Sequence, residues 1–193
     1  MSKKELEKNI SKIIRSSAKA NGYKTRDSFV YKKEANAFVF ACGVVTPKKG
    51  FHYYIWIKEY DYDDIFWDIM QMSDNKKESD SLRAVGAFSV PGIILKDGFY
   101  DIDDSIDKIG EVIIQEMEEL SQHFLKNNSI DEYIITHNEG VDDNMLKCLA
   151  YLHMNKPEKA LKIARDSVEK GNHGGFYNEG KWFFEWVICM YEK

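Results

Sequence analysis

The spacing of apolar residues changes several times along the chain, and each change marks an element. Leu6, Ile10, Ile13 and Ile14 recur as one face of a helix. Ser2 and Glu5 fit a capping box at its start, and Asn21-Gly22 ends it, since Gly tolerates the left-handed cap conformation. Phe29-Val30-Tyr31 reads as a short strand. From Ala37 to Val45 both alternating faces are apolar, as in a strand covered on both sides. Thr46 to Gly50 reads as a hairpin connection, and FHYYIWIKEY (51–60) then alternates strictly. Phe51, Tyr53, Ile55 and Ile57 share one face; His52, Tyr54, Trp56 and Lys58 share the other.

Residues 74–81, DNKKESDS, form a polar loop. Arg83–Val90 and Ile93–Tyr100 read as two further strands about Pro91-Gly92. Ile106, Ile109, Ile113, Met117, Leu120 and Phe124 then make the longest amphipathic helix, with Asp103-Asp104-Ser105 placed to cap it. Beyond Lys126–Ser129 the pattern is helical. One helix carries Met145, Leu146, Leu149 and Leu152. A second starts at Pro157 and carries Ala160, Leu161, Ala164 and Val168. A third carries Trp182, Phe183, Trp186, Val187 and Met190. The expected fold is α+β: a mainly antiparallel sheet with packed helices over residues 1–126, then a small C-terminal helical subdomain over 127–193.

Composition narrows the function classes. The chain is 44% hydrophobic and 31% charged over 193 residues, enough for a real core without disulfides or metal. The start, MSKKELEKN, lacks the apolar stretch of a signal peptide, and the longest apolar run, 37–45, is too short to span a bilayer as a helix. Cys42, Cys148 and Cys189 lie far apart without a CxxC spacing and read as reduced thiols. A cytoplasmic protein without a membrane partner is expected. Residues 1–35 carry a net +6 and the rest −11, giving −5 overall, a poor balance for a nucleic-acid binder.

The densest candidate chemistry lies at EYDYDDIFWDIMQM (59–72), where five carboxylates sit among aromatics with no basic residue. An EF-hand loop from Asp61 fails, with Phe66 where Gly is needed and Met72 where Glu is needed. A loop from Asp101 fails at Ile106 and Val112. The five histidines make no HxxxH or HExxH spacing, and no GxSxG elbow occurs. A Cys42–His52 dyad across the hairpin conflicts with the apolar run around Cys42. The glycine-rich 171–180 follows a helix and lacks the P-loop Lys-Ser/Thr pair, so it reads as a turn between helices. Neither a cofactor nor a metal is expected. What remains is a docking surface: Tyr54, Trp56, Glu59, Asp61, Tyr62, Asp64 and Asp68, with exposed rings for anchoring and acids to steer a basic partner. If the closing helix covers the Tyr54–Trp56 face, that surface is lost. Asp61–Asp63 is expected to turn the chain. Asp63 or Asp64 would then cap a short helix with Ile65, Ile69 and Met72 facing inward.

Two resemblances add expectations. Leu149–Gly171, LAYLHMNKPEKALKIARDSVEKG, resembles one tetratricopeptide helical hairpin through Ala160-Leu161 after a Pro-containing turn. The early Trp and Gly-Tyr positions of that repeat are not evident, and a lone repeat must dock elsewhere. Residues 1–126 resemble an uncharacterised bacterial domain family. The likeness is carried by the initial helix, NGYKTRDSFVYK (21–32), the hairpin through HYYIWIK and the later LRAVGAF. It implies an α+β fold and a bacterial source and brings no site residues; the 23 lysines against four arginines agree with that source. Together these point to a non-enzymatic interaction protein, in concrete form an immunity- or antitoxin-type protein that binds a basic partner. The alternative is an enzyme or small-ligand binder with a cleft between sheet and helical cap.

Overall fold

The computed structural model describes residues 2–46, 50–137 and 144–192, without the side chains of residues 103 and 104. The fold is α+β. The chain divides into two compact units: residues 1–58 with 92–127, and residues 59–91 with 128–193. The crossing after Asn127 falls beside the boundary read from the sequence. Residues 59–91, expected in the first domain, group instead with the C-terminal helices.

In the first unit, α1 (Lys3–Ala20) starts with the expected reciprocal cap. The Glu5 amide donates to Ser2 Oγ, and the Ser2 amide donates to Glu5 Oε2 at 2.7 Å. Its buried face is Leu6, Ile10, Ile14 and Ala18. Among the described residues five strands follow chain order in one sheet: β1 (Lys24–Arg26), β2 (Phe29–Glu34), β3 (Ala37–Val45), β4 (Gly50–Glu59) and β5 (Ile93–Asp101). The pairs β1/β2, β2/β3 and β4/β5 are antiparallel, with a bulge at Ile55/Trp56. Most of the expected hairpin connection, residues 47–49, lies outside the described residues, as do the expected capping side chains of Asp103 and Asp104.

A short helix α4 (Ile102–Ser105) and a 3-10 turn precede α5 (Ile109–Asn127), which starts three residues later than the Ile106 of the apolar stripe. Ile109, Ile113, Ile114, Met117 and Phe124 are buried along it. α1 and α5 pack together closely at Gly110, where an added Cβ would stand 2.5 Å from Ser17 Oγ and 3.0 Å from the Ile13 carbonyl. Both helices lie on one face of the sheet. Tyr53 donates to Glu116 Oε2 of α5 at 2.6 Å, and Lys96 and Lys32 pair with Glu116 and Glu118.

The second unit holds α2 (Asp61–Ile69), α3 (Ser81–Val85), α6 (Ile130–Thr136), α7 (Asn144–His153), α8 (Pro157–Glu169), the hairpin β6 (Tyr177–Asn178)/β7 (Lys181–Trp182) and α9 (Phe183–Tyr191). α2 packs on α7 and α9; α7 packs on α6 and α8, and α8 on α9. Small residues Ala150, Ala160 and Ala164 are fully buried in this bundle, with Cys148 and Leu149. The ring of Phe66 meets Phe176 at 4.8 Å and Phe183 at 5.7 Å.

Three expectations are corrected in this unit. Arg83–Val90 forms no strand: α3 ends at Val85 and an irregular run follows, because side chains of α2 rather than a ladder hold the backbone. Asp63 Oδ1 accepts from the Val90 amide at 2.8 Å, and Trp67 donates to the Phe88 carbonyl at 2.6 Å. The glycine-rich segment is a hairpin with Glu179 and Gly180 both at positive φ, the geometry a two-residue turn needs. α2 begins at Asp61 with no side-chain cap, so Asp63 and Asp64 lie inside the helix, and its buried face is Tyr62, Asp63, Phe66, Trp67 and Ile69.

Candidate functional site

Of the seven residues picked out in the sequence, Tyr54 and Trp56 belong to the first unit; Glu59, Asp61, Tyr62, Asp64 and Asp68 belong to the second. Tyr62, expected as an exposed ring, is fully buried, because the early start of α2 turns it inward with Phe66. Asp64 accepts from Arg83 Nη2 at 2.7 Å, and the same guanidinium donates to the Tyr60 carbonyl and lies 3.8 Å from the centre of the Tyr60 ring. Asp68 pairs with Lys76 and accepts from Ser73 Oγ at 2.7 Å. The cations that meet these acids come from residues 76 and 83 of the same unit.

Glu59 and Tyr62 find other company. Tyr62 donates to Asp131 Oδ1 at 2.7 Å, and Asp131 Oδ2 lies 2.8 Å from His153 Nδ1. The Tyr62 and His153 rings meet edge to face at 5.7 Å. One ligand-type atom from each of Glu59, Asp131 and His153 falls within 4.8 Å of the others. Three elements position them. Glu59 ends β4; Asp131 is the second residue of α6, where the exposed amides favour a carboxylate; His153 is the last residue of α7, where the carbonyl ends favour a cation. Burial pushes the Glu59 carboxyl up; His153 opposes this, and Asp131 and Asp61 add to it. The hydrogen bond to Asp131 raises His153, against the effect of its burial. Burial, helped by Asp131, drives the Tyr62 hydroxyl far above its ordinary range, so it stays a donor. Asp131 and His153 were missed because no local spacing links them to each other or to Glu59. The only sequence signal was indirect, that a buried Tyr needs a hydrogen-bond partner.

The other sheet face of the first unit is the second candidate. His52, Tyr54 and Trp56 of β4 form a continuous row of rings, with centres 4.7 and 5.4 Å apart, and Trp56 stacks on Phe40 at 5.2 Å. In register on β5, Phe99 stands opposite His52, Asp97 opposite Tyr54 and Ile94 opposite Trp56. Alternation puts Val44 of β3 on this face too. α5 packs on the opposite face, so it does not cover the row. Tyr31, Phe38, Phe40 and Lys58 are buried at one end of the face; Val44 is 63% exposed, Ile94 57% and Phe99 57%. Three of the six strongly exposed large apolar side chains among the described residues therefore share one surface. His52 is held by Asp97, and burial raises the Cys42 thiol, the wrong direction for a nucleophile.

A pocket of about 400 Å³ lies inside the first unit, with Ile10, Ile14, Val30 and Phe51 as its floor and Lys8 and Arg15 on its rim. No helix among the described residues is long and apolar enough to cross a membrane. No family model, curated protein or solved structure matches the chain.

Proposed function

We propose that the protein is a non-enzymatic binding module that docks a partner protein on the exposed part of the sheet face opposite α5. The observation that carries this is the row His52–Tyr54–Trp56 flanked by exposed Val44, Ile94 and Phe99. Contiguous exposed apolar surface of this kind marks interaction sites, and rigid aromatic rings anchor at low entropic cost. The partner it fits presents apolar side chains ringed by basic ones. Asp97 and Asp101 share the strand face of Phe99 and bracket it, and the whole chain is acidic at −5. In biological terms this suits an immunity- or antitoxin-type protein that neutralises a basic toxin in the bacterial cytoplasm. The acids Asp64 and Asp68, which belong to the second unit, play no part in it.

The test is capture in the native host with a photoreactive side chain at Phe99, repeated with Val44→Asp and Ile94→Asp. A basic protein captured by the otherwise unchanged chain and lost at least tenfold in both variants, with melting temperatures unchanged, supports the reading. Equal capture by all three rejects it. The pocket between α1 and β2–β3 favours a second reading, a binder of small amphipathic anions with the head group at Lys8 and Arg15. Thermal-shift screening with fatty and aryl carboxylates, compared with Arg15→Gln, checks it.

A further inference from the structure

We propose that Glu59, Asp131 and His153 form a binding site for a divalent first-row transition ion of the zinc and cobalt class. All three residues belong to the second unit.

The donor set fits that class. Two carboxylates with a neutral imidazole offer a net charge of −2 to a dication. An imidazole nitrogen suits zinc and the other later first-row ions, whereas magnesium, calcium and manganese favour oxygen ligands. The distances fit as well. Donors on one tetrahedral zinc lie about 2.0–2.2 Å from it, so they stand about 3.3–3.6 Å apart. Asp131 Oδ2 and His153 Nδ1 are already 2.8 Å apart, and all three donors fall within 4.8 Å. A rotation of the half-buried Glu59 side chain towards the other two, with a slight opening of the Asp131–His153 contact, closes the set.

The surroundings are those of a ligand site. Asp131 is buried, and its second oxygen is fixed by the hydroxyl of fully buried Tyr62, which donates to it. Such outer contacts orient a ligating carboxylate. The Tyr62 ring against His153 fixes the imidazole plane. Two carboxylates and an imidazole converge from a strand end and two helices, and a cation shared among them removes the repulsion between the acids. Three protein donors leave a coordination position for water.

The same three groups could instead serve as an internal ion pair, with a protonated His153 as the cation. Titration of the full, chelator-treated chain separates the two. Zn²⁺ and Co²⁺ are added singly, with excess Mg²⁺ present, and followed by calorimetry, melting temperature and the visible spectrum of Co²⁺. The expected result is one ion per chain, a raised melting temperature and the Co²⁺ bands of a low-coordinate site. Glu59→Gln and His153→Ala should each weaken binding at least tenfold. Tyr62→Phe, which keeps the ring, should weaken it about 10–100-fold. Asp166→Asn, exposed on α8 and outside the donor set and its charged neighbours, should leave it unchanged. No binding above the magnesium background, or equal binding by the Glu59 and Tyr62 variants while they remain folded, overturns the site in favour of the ion pair.

Discussion

The three cysteines show how burial sets chemistry one residue at a time. Cys189 is exposed, Cys42 is half-buried with its thiol raised, and Cys148 is buried in the α7–α8 contact with its thiol pushed up to about 12. Only the thiolate reacts. A thiol reagent should therefore label Cys189 first, Cys42 more slowly and Cys148 only on unfolding, as followed by mass spectrometry. Arg83 gives a stability prediction. Its side chain is 4% exposed and meets Asp64, the Tyr60 carbonyl and two aromatic rings. Removing one member of such a buried pair costs about 3–5 kcal/mol, since the other charge stays behind. Arg83→Met should lower the urea midpoint accordingly, and adding Asp64→Asn should restore part of the loss.

The Glu59 and His153 shifts have an unusual sign for pH. Both are upward, so the folded chain holds these protons more tightly than the unfolded one. Their contribution is full below the ordinary values of 4.5 and 6.5 and is lost as pH rises through the raised ones. The facing groups are Asp131, Asp61 and the Tyr62 hydroxyl. With chelator present, the melting temperature should fall from mildly acid to neutral pH, and Glu59→Gln should flatten that fall.

At the level of elements, the crossing of α1 and α5 sets two effects against each other. Gly110→Ala gains about 1 kcal/mol of helix propensity. It also forces a Cβ against Ser17 Oγ and the Ile13 carbonyl, overpacking that costs about 1–3 kcal/mol. Because the carbonyl cannot rotate away, the clash should win. The variant should melt lower, and adding Ser17→Ala should recover only part. Legibility also divides by element. α1 and the stripe of α5 could be read because a cap and a 3.6 period are local facts. β4 could be read because Ile55 and Ile57 alternate with Tyr54 and Trp56. The inward face of α2 could not: the helix starts three or four residues early and so takes in Tyr62, and Tyr62, Phe66 and Trp67 take the core in place of Ile65 and Met72. Arg83–Val90 looks like a strand only while the groups that capture Arg83 and Val90 are out of sight. The Glu59–Asp131–His153 cluster joins residues 72 and 22 positions apart along the chain, and a pattern confined to short windows cannot show it.

For the molecule as a whole, the division of the chain decides what can be cut. The second unit needs residues 59–91 together with 128–193. A fragment of residues 1–126 therefore carries Tyr62, Phe66 and Trp67 without Asp131, Phe176 and Phe183. It should aggregate or bind hydrophobic dyes strongly, where the intact chain should not; a well-dispersed, cooperatively melting fragment would argue against the division.

That discontinuity also orders events on the ribosome. At synthesis rates of about 5–20 residues per second, α9 emerges roughly 6–23 seconds after α2. β5 and α5, the last elements of the first unit, are made within that interval, so its sheet can close while the aromatic face of α2 still waits for its cover. A nascent chain arrested before residue 183 should recruit holdase chaperones through Tyr62, Phe66 and Trp67, and one released after it should not.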